Sequence, residues 1–165
     1  MFGLLVFVAI GVLAWKFVAP GQRFLPEFSR LLTEPKLDSG GLSFVSGRSA
    51  LSGQFRGRDV SAEIQLPRSK YGTSYLVVKV KTSGVETLTG SQLDSRATDD
   101  AARRALFALA MQDLQLTVED GWLRALWSPK GLFIFPGRYS EEKWRQVLEA
   151  MHAVASSLER GPNPS

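Results

Sequence analysis

Residues 140–161 read SEEKWRQVLEAMHAVASSLERG and carry the clearest helix signals in the chain. Ser140 is a favoured N-cap, and the two glutamates that follow it suit the positive end of a helix dipole. Tyr139 and Trp144 have the spacing of a hydrophobic staple, and Gly161 before a proline is a common helix end. We therefore predict a terminal helix with one apolar stripe, made of Trp144, Val147, Leu148, Met151, Ala155 and Leu158.

Period-two alternation earlier in the chain predicts the strands that this helix covers. Asp59–Pro67 and Tyr75–Lys81 both alternate apolar with polar side chains, as half-buried strands do. Val77 falls on the outward face of the second run. The side chains predicted to point inward are Val60, Ala62, Ile64, Leu66, Leu76, Val78 and Val80.

Short apolar runs on either side of these strands extend the sheet. We predict strands at Leu42–Ser46 and Ala50–Phe55 that flank a Gly47–Ser49 loop, and Gly57 ends the second of them. Another short strand is predicted at Val85–Leu88. Since all these connections are short, the strands should form an antiparallel meander.

A helix and a second group of strands follow. Gly90–Ala97 is predicted to be a loop, and Thr98 is predicted to cap a helix that ends near Met111. After it, residues 114–118 alternate, and Asp120-Gly121 is a favoured hairpin turn before Trp122–Trp127. An interior strand at Leu132–Phe135 would follow. The side chains that the predicted helix would bury are Ala102, Ala105, Leu106, Leu109 and Ala110.

The order of these elements predicts an α+β fold, in which two helices cover one face of a mainly antiparallel sheet. At the other end of the chain, Phe2–Ala19 reads FGLLVFVAIGVLAWKFVA. As a helix this run would span about 27 Å, close to a thin hydrocarbon core. Trp15 and Lys16 suit the lipid–water interface. We predict a transmembrane anchor that contains Phe2, Leu4, Leu5, Val6, Phe7, Val8, Ile10, Val12, Leu13 and Trp15.

Two other interpretations of this run are weaker. A cleavable signal peptide needs a basic start and a small-x-small site, whereas here no Lys or Arg precedes Phe2 and Phe17-Val18-Ala19 stands before a proline. A buried core helix would need an apolar partner on every face. A retained signal anchor is therefore preferred. The basic residues near the span lie on its C-terminal side, which predicts a single-pass protein of the cell membrane with its C-terminal domain in the cytoplasm.

These elements divide the chain into four parts. Residues 1–20 are the predicted anchor, 21–41 a juxtamembrane helix and linker, 42–160 the soluble domain, and 161–165 a disordered tail. The juxtamembrane helix would cover Pro26–Leu32. Two hypotheses for it stay open, since its apolar side would suit either the bilayer interface or the surface of the domain.

Charge points to one candidate binding surface. The segment from Gly41 to Gly90 carries the whole net charge of +4. Within it, Arg48, Arg56 and Arg58 lie near Phe55 in sequence, and arginine forks suit phosphate groups. An anionic lipid or a nucleic acid is a possible ligand, with nucleic acid ranked lower, and a solvated turn is the plain structural alternative.

The sequence offers no recognisable reactive group. There is no Cys, and His152 is the single His, which excludes the usual zinc sites and His-based nucleophile activation. No phosphate loop is found, and the acidic pairs stand where helix starts or turns explain them. We therefore expect no catalytic residue, no metal and no cofactor, and we do not expect an enzyme, although an enzyme without a recognisable motif is kept as a last alternative.

Two sequence runs resemble a group of uncharacterised bacterial proteins. The first is Ser-Gly-x-Phe-Arg-Gly-Arg-x-Val at Ser52–Val60, and the second is Val-Glu-Asp-Gly-Trp at Val118–Trp122. The group has one N-terminal transmembrane helix and a small α+β domain. The resemblance covers about Leu42 to Glu159 and implies location and fold, with no activity to carry over. The anchor and the lack of a recognisable reactive group favour a membrane-tethered interaction module whose partners are the lipid bilayer and another protein.

Overall fold

The computed structural model describes residues 25–38, 48–65, 75–97, 99–127 and 140–161. Within these ranges the chain is α+β, and its six strands form one antiparallel sheet in the order β1-β2-β3-β4-β6-β5. The predicted fold class is confirmed at this level. The strands are β1 (Thr33–Asp38), β2 (Arg48–Phe55), β3 (Arg58–Gln65), β4 (Tyr75–Lys81), β5 (Leu114–Glu119) and β6 (Trp122–Trp127), and the helices are α1 (Gly90–Arg96), α2 (Asp100–Ala110) and α3 (Glu141–Arg160).

Two tight turns set the register of the sheet. Arg56 and Gly57 join β2 to β3 with φ values of 50° and 77°, and Asp120 and Gly121 join β5 to β6 with φ values of 54° and 72°. Two central residues with positive φ match the right-handed twist of the strands they connect. The strands from β1 to β4 follow as a meander, and β6 then pairs with β4.

Helix α3 packs across the core as its sequence predicts. Ser140 Oγ accepts a hydrogen bond from the Lys143 amide, and Gly161 ends the helix with φ 68°. Trp144 is 2% exposed. Its ring meets the edge of Phe28 with 5.7 Å between centroids. The predicted stripe is confirmed, since each of its residues is buried.

Helix α2 lies antiparallel to α3. Asp99, one residue after the predicted cap, accepts a hydrogen bond from the Ala102 amide and caps the helix. It also forms an ion pair with Arg160 at the far end of α3. Four of the predicted buried positions are confirmed, but Ala110 is exposed because it lies on the side of α2 that faces away from the core.

Helix α1 was predicted to be a loop, and that prediction is wrong. Thr89 and Gln92 form a capping box, in which the Gln92 side chain accepts a hydrogen bond from the Thr89 amide at 2.8 Å. The box satisfies amide groups at the helix start. Leu93 is the apolar side chain that α1 buries.

Residues before the predicted domain belong to the core and the sheet. Residues 25–29 are helical, and the buried side chains of Leu25, Phe28 and Leu32 support the hypothesis that this segment packs on the domain. Strand β1, which was not predicted, pairs with β2. A Cβ on Gly53 would lie 2.9 Å from the Leu32 Cβ, so a glycine lets this segment approach β2.

Three smaller predictions need correction. Arg48 and Ser49 begin strand β2 and are not in a loop, because they pair with Gln65 and Ile64 of β3. Val77 is on the outward face but only 1% exposed. In the ladder it lies between Glu63 and Leu126, so this part of the outer face is shielded from solvent.

The predicted strand at Val85–Leu88 is reduced to one bridge between Leu88 and Val118. Several predictions fall outside the described residues: the anchor, the strands at Leu42–Ser46 and Leu132–Phe135, Thr98 and the tail after Gly161. Among the helices that are described, none combines the length and the apolar character needed to span a membrane.

Candidate functional site

The three arginines predicted as an anion site do not all meet. Arg48 begins β2 and is paired with Gln65, whereas Arg56 and Arg58 are at the turn that closes the other end of the same hairpin. Seven residues of extended chain, at about 3.4 Å each, put Arg48 about 24 Å from the turn. A single site can therefore use Arg56 and Arg58 but not Arg48.

Arg58 binds helix α3 through both of its terminal nitrogens. Each donates to one carboxylate oxygen of Glu159, at 2.6 Å. The same guanidinium donates to Ser156 Oγ and to the Lys81 carbonyl, both at 3.1 Å. The bidentate hydrogen bond raises the pKa of Arg58 and lowers the pKa of Glu159, which also accepts from the Ser83 amide. Such paired bonds fix geometry as well as charge.

Arg56 makes a second connection to α3. Its Nη2 donates to Glu149 Oε1 at 2.7 Å, and its guanidinium carbon lies 5.6 Å from the centre of the Phe55 ring. Arg56 is more exposed than Arg58. An anion bound at this turn would compete with two carboxylates that the protein supplies itself. The Arg56–Arg58 turn thus joins the hairpin to α3.

His152 lies on the same flank of α3 as these ion pairs. Burial lowers the pKa of His152, and the nearby Arg58 and Arg56 charges lower it further. The imidazole is therefore neutral near pH 7. Ser156 is one helical turn away, but its hydroxyl accepts from Arg58, and no hydrogen bond joins it to His152 in the described chain. The flank does not form a nucleophile–base pair.

The outer face of α2 is a second candidate, which sequence reasoning missed. Phe107 and Met111 are one turn apart and are 68% and 71% exposed. Arg103 and Arg104 precede them on the helix and are also exposed. Apolar residues on both sides of the predicted helix were the signal that could have revealed this face. We call Arg103, Arg104, Phe107 and Met111 the α2 outer face.

A cleft opens at the C-terminal end of α2. Its volume is about 430 Å³. Gln112 Oε1 is buried beside it, without a hydrogen-bond partner in the described part of the chain. The lining combines the Asp113 carboxylate, the Lys143 ammonium and the side-chain amides of Gln112 and Gln146 with the Trp127 ring. This combination suits a peptide that carries both polar and apolar side chains. The lining residues are Met111, Gln112, Asp113, Trp127, Lys143 and Gln146.

The described ranges contain no group of three or more His, Cys, Asp or Glu side chains arranged to hold a metal ion. Comparisons with protein-family models, with curated proteins and with solved structures find no match to the chain. The resemblance to bacterial membrane proteins therefore stays a prediction from the two sequence runs that carry it. The site has to be interpreted from its own geometry.

Proposed function

We propose that the chain is a single-pass membrane protein whose α+β domain is a membrane-tethered interaction module. The apolar run Phe2–Ala19 supports the tether, and the basic residues after it favour a cytoplasmic domain. The module would act by holding a protein partner near the bilayer. It would need no cofactor for this role.

The cleft at the end of α2 is the observation that supports an interaction role most. It places the Trp127 ring next to polar groups from α3 and the α2–β5 connection. Most of its lining residues are polar, and Trp127 and Met111 supply its apolar part, so the cleft suits a polar peptide segment better than an apolar ligand.

Two alternatives have less support from the geometry. Binding of anionic lipid or nucleic acid by the predicted arginines would require Arg56 and Arg58 to leave Glu149 and Glu159, and Arg48 is too far away to help. Catalysis has no paired nucleophile and base on the α3 flank. An interaction module requires neither the release of these arginines from their carboxylates nor a nucleophile–base pair.

Site-specific photo-crosslinking in intact cells tests this proposal. The full chain would carry a photoreactive residue at Gln146, on the cleft, or at Thr87, an exposed position outside it. We expect a discrete protein adduct from position 146 that Lys143→Glu weakens, and no such adduct from position 87. Equal labelling from both positions, or no protein adduct from position 146, would contradict the proposal.

A further inference from the structure

Two large apolar side chains protrude from the exposed side of α2. Phe107 and Met111 face solvent, while the opposite side of the same helix is buried against the core. Phe107 lies in the last turn of the helix, and Met111 is the C-cap residue that follows it. Exposed large apolar residues that share one surface often mark a contact with another phase or partner.

The two arginines of this face differ from most other described arginines because they form no ion pair with a described carboxylate. Arg103 Nε donates to the Ala97 carbonyl at 3.0 Å and Arg104 Nε to the Asp100 carbonyl at 3.2 Å, and neither forms an ion pair with a described carboxylate. Most other described arginines do form one. The ion-paired set is Arg56, Arg58, Arg96, Arg124, Arg145 and Arg160.

The chain between the apolar run and Phe28 is long enough to let this face reach the bilayer of the proposed anchor. Met111 lines the same cleft as Lys143, in the first turn of α3. The next residue, Trp144, contacts Phe28. Between Ala19 and Phe28 the chain can extend at most about 32 Å. This length is enough for the C-terminal end of α2 to reach a bilayer that holds the apolar run.

We propose that the α2 outer face docks on an anionic lipid bilayer, with Phe107 and Met111 in the interface and Arg103 and Arg104 at the headgroups. This inference rests on the proposed membrane tether. Protruding apolar side chains flanked by arginines without a described carboxylate partner suit an interfacial helix on an anionic bilayer. A second copy is a poorer occupant, since pairing two such faces brings four arginines together.

The absence of Cys from the sequence makes this docking directly measurable. The full chain would be reconstituted as Phe107→Cys, Met111→Cys or Thr87→Cys, each labelled with an environment-sensitive fluorophore. Thr87 is exposed, precedes the Leu88–Val118 bridge and is not part of the α2 outer face. Vesicles of phosphatidylcholine, with or without phosphatidylglycerol, would carry a nitroxide quencher on the lipid. Flotation of the chain with the vesicles measures its attachment to the membrane, independently of the quenching of the labels.

We expect quenching at positions 107 and 111 in anionic vesicles, its relief by salt, and little quenching at position 87. The double variant Arg103→Gln with Arg104→Gln should weaken docking about thirtyfold. Each arginine near an anionic leaflet contributes about 1 kcal/mol, and about 1.4 kcal/mol corresponds to a tenfold change in an equilibrium constant. The matched double variant Arg124→Gln with Arg145→Gln removes the same charge from ion pairs elsewhere and should leave quenching unchanged.

Flotation without quenching at 107 and 111 would overturn the docking while leaving the tether intact. Quenching that ignores salt and survives the Arg103/Arg104 double variant would also overturn it. Shielding of both labels by an added membrane-protein extract, without lipid quenching, would assign the face to a protein partner instead. Loss of flotation would mean that the tether itself fails.

Discussion

Arg58 and Glu159 form the most completely bonded ion pair of the molecule as described. Two parallel hydrogen bonds join the side chains, and Ser156, Ser83 and Lys81 supply further bonds around them. Both side chains are largely shielded from water, which strengthens their attraction relative to a surface pair. The pair fastens the β2–β3 turn to the end of α3.

Glu159→Gln should change how stability responds to acid. The folded pKa of Glu159 is below its ordinary value of 4.5, chiefly because Arg58 donates to it. Below that ordinary value the unfolded chain binds the proton more readily, so the stabilisation is present above about pH 4.5 and is lost as pH falls through the folded pKa. The variant should be less stable at pH 7 and lose less stability in acid.

Thermal unfolding of the full chain in detergent at a series of pH values would measure this effect. Asp99 also has a lowered pKa, chiefly through its hydrogen bond from Ala102, so the variant should flatten only part of the acid response. An acid response equal to that of the parent chain would contradict the assignment.

His152→Gln addresses a different pH range. Burial keeps the folded pKa of His152 below its ordinary value of 6.5, so the unfolded chain takes up a proton first as pH falls. Stability is therefore complete above about pH 6.5 and declines below it until the folded pKa is reached. We expect the variant to flatten the stability curve just below pH 6.5. A curve unchanged in that range would show that His152 titrates alike in both states.

Trp144→Ala should be strongly destabilising. Its side chain is 2% exposed, and its edge-to-face contact with Phe28 connects α3 to the segment before β1. Removing a buried aromatic side chain costs about 3–5 kcal/mol. Arg145→Ala, at an exposed neighbouring position, should stay within about 0.5 kcal/mol. Similar melting temperatures for the two variants, measured by circular dichroism, would show that α3 is not docked as described.

At the scale of elements, β1 and the segment before it depend on one close backbone approach. Gly53→Ala would place a Cβ 2.9 Å from the Leu32 Cβ and 3.0 Å from the Thr33 carbonyl oxygen. Such crowding typically costs about 1–3 kcal/mol. We expect faster amide hydrogen exchange in β1 and unchanged exchange in β5. Gln54→Ala, at the next, exposed position, should leave both strands as they are. Uniform exchange changes across the sheet would contradict this local effect.

Elements with strong local signals could be predicted from the sequence. The caps and apolar stripe of α3 and the alternation in β3 and β5 all correspond to observed structure. Helix α1 was missed because GSQLDSR is poor in strong helix formers, although the spacing of Thr89 and Gln92 matches the sequence pattern of a capping box. Strand β1 was missed because Pro35 and the charged residues around it are typical of a break between elements.

The candidate sites were harder to predict because they depend on partners far apart in the chain. Arg56 and Arg58 were identified as a charged turn, but their carboxylates lie on α3, at Glu149 and Glu159. Sequence alone does not show that these charges meet. The cleft is likewise lined by residues from the end of α2, from β6 and from α3, so no single stretch of sequence predicts it.

For the molecule as a whole, the proposed tether would determine which partners the domain can meet. A module fixed beside the bilayer meets membrane-bound partners at a raised effective concentration, so modest contacts in the cleft would suffice. Docking of the α2 outer face would further restrict how the domain is oriented. The proposed function and the docking of the α2 outer face both depend on residues 2–19 being held in lipid.

Alkaline carbonate extraction of membranes that hold the full chain, with identification of its N-terminus, tests that claim most directly. The account predicts that the chain sediments with the membranes and still contains residues 2–19. Val8→Lys with Ile10→Lys, which would place two charges in the apolar run, should release it, since charges at the centre of a span are costly. A parent chain found in the soluble fraction, or one that begins after residue 19, would contradict the account.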